Sequence, residues 1–100
     1  MDIKEINERK LDALDFKIVA LFEQRMMIAE KAAKDMTKRE LKAQTRRVGE
    51  QASDKATRFA CDVTTIAYTE ELIKLMLCAT CHYQRRLLRS KKGKVKLKPC

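Results

Sequence analysis

Glycine and proline are nearly missing from this 100-residue chain, which has two Gly and one Pro, the Pro being next to last. With so few breakers and so much Ala, Leu, Lys, Glu, Arg and Met, the composition favours helix over sheet. No run of eighteen apolar residues occurs, which excludes a membrane-spanning helix. The opening residues, MDIKEINERK, are charged and lack the apolar stretch of a secretory signal, so a cytoplasmic location is expected. His82 is the sole histidine, and neither a Gly-rich elbow nor a phosphate-binding loop nor a dinucleotide fingerprint is present. Nucleophilic and nucleotide-dependent catalysis therefore lack their usual parts.

Acidic residues are also missing after Glu71, and this explains the net charge of +9. Residues 1–84 hold 15 basic and 14 acidic side chains, whereas Arg85, Arg86, Arg89, Lys91, Lys92, Lys94, Lys96 and Lys98 stand without a counter-charge in the sequence around them. The body is nearly neutral and the basicity belongs to one end. A short basic end is more often solvated than a nucleic-acid contact, so a small helical nucleic-acid binder is only a further alternative. Length allows a single small domain, expected over residues 1–90, with residues 91–100 as a disordered basic tail.

Hydrophobic periodicity divides the body into three helices, long, short and long. In the first, running from Ile3 to about Met36, Ile3, Leu11, Leu14, Ile18, Leu21, Ile28 and Ala32 recur at three- and four-residue steps. A helix of that length spans roughly 50 Å, more than a globule of this size. It needs a partner along its length, and a second copy of the chain is the economical one, giving an intertwined helical-bundle homodimer. Thr37 followed by Glu40 reads as a capping box opening the second helix, Lys38–Ala52, whose apolar side is Leu41, Val48 and Ala52. Gly49, Ser53 and Asp54 predict a turn within Gly49–Lys55. The third helix is expected from Asp62 or Thr64 to about Arg89, with acidic residues early and arginines late, as the helix dipole favours.

Two patterns are written over each other in the last helix, in Ile73–Leu88. Cys78-Ala79-Thr80-Cys81-His82 matches the haem-attachment spacing, two thiols and a histidine on one turn. The motif sits in the middle of a long helix, in a chain without an export signal, and the ligands for a zinc site would have to come from Cys61, Cys78, Cys81 and the single His82. Coincidence is the better reading, and no cofactor or metal is expected. The second pattern is an apolar stripe, Ile73, Leu77, Leu87 and Leu88, with Thr80 and Gln84 set inside it. Polar groups in an apolar face need hydrogen-bond partners. On the first helix Arg25 continues the stripe of Leu14, Ile18 and Leu21, where it lies at an interface edge, snorkels outward or meets an anion. Arg25, Arg46 or Arg47, Thr80 and Gln84 together suit a small polyanion in a largely dry pocket, rich in donors and poor in general bases. Such a pocket serves chemistry that needs only orientation and electrostatic stabilisation.

Two stretches carry a resemblance to a known family. LDALDFKIVALFEQRMMIAEKAA, with Leu11, Leu14, Asp15, Leu21 and Arg25, resembles the opening helix of the all-helical chorismate mutases. YTEELIKLMLCATCHYQRRLL, with Thr80 four residues before Gln84, resembles their closing helix. The resemblance covers roughly residues 3–90. It implies an intertwined dimer of three-helix chains that rearranges chorismate to prephenate, on the route to phenylalanine and tyrosine, without cofactor or covalent intermediate. It further implies that Arg25 binds a substrate carboxylate, Gln84 hydrogen-bonds the ether oxygen, Thr80 lines the carboxylate end and Arg46 or Arg47 approaches from the second helix.

At three positions the chain departs from that family's pattern. Glu8 aligns with an Arg that the partner chain contributes, and the adjacent Arg9 is the expected substitute. Met36 aligns with the Lys that joins Gln at the ether oxygen; Lys34 and Lys38 stand two positions to either side, and Lys38 is the expected catalytic substitute. The Glu of the second helix is replaced by Arg47 or Val48. These departures motivate a second reading, a non-catalytic relative kept as a binding or regulatory module.

Overall fold

The computed structural model describes residues 1–93, with side chains through Ser90, and is all-helical over that span. Helix α1, Ile3–Lys34, starts at Asp2, whose carboxylate accepts from the Glu5 amide at 2.8 Å. Helix α2, Lys38–Arg46, starts where the capping box predicts, with Thr37 Oγ1 accepting from the Glu40 amide at 3.1 Å. The other half of the box differs: Thr37 Oγ1 also meets the Glu40 carboxylate, at 3.2 Å.

The expected single middle helix is instead two. Helix α3, Val48–Phe59, follows α2 after one non-helical residue, Arg47. The break thus precedes Gly49, and the turn expected within Gly49–Lys55 is helical throughout. Two local features accompany it. The Thr45 hydroxyl bonds back to the Leu41 carbonyl at 2.8 Å, a contact that bends helices. The Arg47 amide bonds to the Gln44 carbonyl at 3.1 Å, a tight three-residue closure. Asp62 then caps a short 3-10 turn, Val63–Thr65, through the Thr64 amide and hydroxyl. These bonds favour the charged carboxylate and hold the Asp62 pKa below its ordinary value. Helix α4, Ile66–Gly93, runs past Arg89, so residues 91–93 of the expected tail are helical; residues 94–100 lie outside the described part.

The core lies between α4 and the α2–α3 pair. Leu41, Val48, Ala52 and Ala56 pack against Ile73, Leu77, Cys81 and Leu88, with Met36, Ile66 and Met76 at its edge. The sequence stripes Leu41, Val48, Ala52 and Ile73, Leu77, Leu88 are thus buried as expected, and Leu87 is half-buried. Each large aliphatic in this cluster contributes about 1.5–3 kcal/mol by leaving water.

Helix α1 meets α4 differently, through its second half only. The buried residues there are the small Ala29 and Ala33. Its expected apolar stripe is bare in the single chain: Ile3, Leu11, Leu14, Ile18, Leu21 and Ile28 are all exposed, most by half or more. The first half of α1 consequently projects, and the molecule measures 54 × 30 × 16 Å. Its radius of gyration is 16.8 Å, against about 13 Å for a compact chain of this length. No helix among the described residues is long and apolar enough to cross a membrane.

Candidate functional site

Where α1 crosses α4, the two helices exchange polar contacts over 55 residues of chain. Arg25 Nη1 donates to Thr80 Oγ1 at 3.3 Å, and that hydroxyl donates to the Met76 carbonyl at 2.8 Å. One turn along, Gln84 Nε2 donates to the Ala29 carbonyl at 3.0 Å, while Gln84 Oε1 accepts from Gln44 Nε2 at 2.8 Å. These partners fix the amide's orientation, because the Ala29 carbonyl can only accept. Gln84 is 2 % exposed and Thr80 9 %, yet no buried side-chain polar atom among the described residues lacks a partner. The polar pair in the apolar face is thereby accounted for: α1 supplies Arg25 and a backbone carbonyl, and α2 supplies an amide.

These groups line a depression of about 320 Å³ bounded by α1, α3 and α4 and the last turn of α2. Its apolar walls are Ile28, Val48 and Leu77, and its polar walls are Arg25, Gln44, Gln51, Lys55, Thr80 and Gln84. Among the described residues two cations and three neutral amides face it, with no carboxylate. A small polyanion suits such a site: the cations balance two negative groups, and the second N–H of Gln84 remains for an acceptor on the ligand. No protein-family model, curated protein or solved structure matches the chain.

The site residues expected from sequence separate into two groups. Arg25, Thr80 and Gln84 come together in this depression. Lys38 and Arg46 do not join them; they line a second, cationic depression with Arg85 and Arg89. The reason is helical angle, since Lys38, Lys42, Thr45 and Arg46 share a side of α2 that Gln44 leaves. Arg47 is exposed at the break between α2 and α3, and Arg9 is exposed on the projecting half of α1. Met36 does not turn a side chain into the site but packs on the core.

Sequence reasoning missed Gln44, Gln51 and Lys55. Their signal was available, because Gln44, Val48, Gln51 and Lys55 repeat at helical steps beside the Leu41, Val48, Ala52 stripe. The turn expected within Gly49–Lys55 put Gln51 at the end of a helix and Lys55 beyond it, and so hid the pattern. The haem-like motif is split by the fold: Cys81 is buried with its sulfur 3.5 Å from Gln44 Nε2, whereas Cys78 and His82 are exposed. Among the described residues no three His, Cys, Asp or Glu side chains gather where they could hold a metal.

Proposed function

We propose that this chain is a chorismate mutase of the all-helical class, working as an intertwined homodimer. The supporting observation is the meeting of Arg25, Thr80 and Gln84, three of the four positions that the resemblance assigns to substrate within one chain, in a single depression with no carboxylate among the described residues that line it; the fourth, Arg46 or Arg47, lies outside it. The rearrangement breaks one C–O bond and forms one C–C bond within the substrate. No proton or electron is exchanged with the protein, so donors and cations held in place are sufficient. Arg25, steadied by Thr80, and Lys55 pair with the two substrate carboxylates. Gln84, held by Ala29 and Gln44, gives its second N–H to the ether oxygen as charge develops there.

The dimer rests on the bare stripe of α1. Leu11, Leu14, Ile18 and Leu21 are 50–59 % exposed in one chain, and burying each fully would stabilise the assembly by up to about 1.5–3 kcal/mol. In the dimer, Arg9 extends the cationic lining of the partner's pocket.

A second reading is favoured by Met36, Val48 and Glu8 together: the same dimer binds a dicarboxylate without turning it over. Met36 and Val48 are both apolar and engaged in packing. Prephenate formation by the purified protein, with binding of a transition-state analogue measured in parallel, separates the readings. Turnover lost by about 10²–10³ in Gln84→Ala supports catalysis. Analogue binding without turnover supports the binding module, and absence of both overturns the family reading.

A further inference from the structure

A second depression, of about 550 Å³, lies between α2 and the C-terminal part of α4. Its floor is Leu41 and Leu88, both members of the core. One wall is Lys42 and Arg46 of α2, with Lys38 at the same rim, and the facing wall is Arg85 and Arg89 of α4. Among the described residues no acidic side chain lines it. It opens on another side of α4 from the first site, since Arg85 follows Gln84 by one residue, about 100° round the helix.

The charge arrangement is self-opposing. Lys42 with Arg46, and Arg85 with Arg89, are like charges four residues apart, a spacing at which like charges destabilise a helix. The two rows then face each other across an apolar floor, and none of these four side chains makes an ion pair among the described residues. A solvated helix face needs no concavity and no leucine floor. The volume falls in the range of small-molecule sites, about 300–1,000 Å³. No aromatic side chain lines the depression, so the stacking platform that holds single-stranded nucleic acid is missing from it.

We propose that this depression is a second anion site, for a compact molecule carrying at least two phosphate or carboxylate groups on an apolar body. The body rests on Leu41 and Leu88. One anionic group is clamped by the α2 wall and the other by the guanidinium forks of Arg85 and Arg89, whose geometry suits bidentate contact. Bound there, the ligand ties α2 to α4 on the side away from Gln84 and relieves the repulsion of both walls.

Calorimetry on the full chain, with isophthalate and with phenyl bisphosphate as probes, tests the site and tells a carboxylate preference from a phosphate one. Saturable binding of either probe, one per chain, is expected to weaken about tenfold in Arg85→Ser and again in Lys42→Ser, one substitution for each wall. Lys74→Ser, an exposed cation elsewhere on α4, and Arg25→Ala, in the other depression, should leave the affinity within about twofold. Four binding results would overturn the proposal, and so would one change of assembly. They are the absence of saturable binding, an equal loss in Lys74→Ser, a loss in Arg25→Ala alone, and displacement of the probe by a twenty-nucleotide single strand that depends on the same wall residues. A change of oligomeric state in the wall variants would instead make this face a contact between copies, and would equally refute a small-molecule site.

Discussion

Replacing Gln84 with Met separates the polar role of this side chain from its bulk. Methionine has similar length and no donor, so the space stays filled while both hydrogen bonds, to the Ala29 carbonyl at 3.0 Å and from the Gln44 amide at 2.8 Å, disappear. Each such bond contributes about 1 ± 0.5 kcal/mol net. The larger penalty of an orphaned group is softened on both sides here. The Ala29 carbonyl lies within α1, where a helical amide also bonds it, and the half-buried Gln44 can turn toward water. The expected destabilisation is therefore about 1–3 kcal/mol for Gln84→Met. Gln84→Ala adds a cavity at a position 2 % exposed and should reach about 3–5 kcal/mol. The assay is urea unfolding at fixed protomer concentration, since the proposed dimer would make apparent stability concentration-dependent. A Met variant as stable as the wild type, or less stable than the Ala variant, would refute the account of Gln84 as a clamped amide. The proposed mutase activity should fall alike in both variants, because the missing N–H is common to them.

Leu14→Asp should leave the isolated chain's stability within about 0.5 kcal/mol, because Leu14 is already 53 % exposed, yet convert the proposed dimer to monomer in sedimentation. Thr37→Ala removes the acceptor for the Glu40 amide and should cost about 1 kcal/mol, read as a fall of about 4–8 °C in Tm. Asp62 stabilises the entry to α4 through a carboxylate whose pKa is lowered by Thr64. That contribution is complete above the unfolded value and is lost as pH falls through the folded one. The stability gap between wild type and Asp62→Asn should accordingly narrow in the acid range and be constant at neutral pH; a gap that widens on acidification would contradict the sign.

Much of the fold was legible because it depends on local rules. The Thr37 cap, the stripes of Leu41 with Val48 and of Ile73 with Leu77, and the extent of α1 each follow from spacing within a few turns. The pairing of Thr80 and Gln84 with Arg25 was also legible, since polar residues inside an apolar face demand partners. What escaped was controlled by geometry beyond one helix. The break at Arg47 turns on a hydroxyl back-bond and a tightened turn that no breaker residue announces. Helix α3 carries the face of Gln44 and Val48 on to Gln51 and Lys55 and so brings them to the depression, whereas Lys38 and Arg46 lie on another side of α2. The stripe of α1 was read correctly as apolar, but periodicity does not say what covers it.

The way α1 is attached has a dynamic consequence. Leu41, Val48, Ile73, Leu77 and Leu88 bind α2, α3 and α4 into one unit, whereas α1 is fastened by two alanines and a few polar bonds. Segments with little buried apolar area open without global unfolding. In a lone chain α1 is thus the most weakly held helix, and its amides should exchange with solvent before those of α4. Because Arg25 and the Ala29 carbonyl travel with it, opening dismantles one wall of the Gln84 depression while the other wall stays folded. A ligand that bridges Arg25 and Gln84 would then slow exchange along the whole of α1, far beyond the residues it touches.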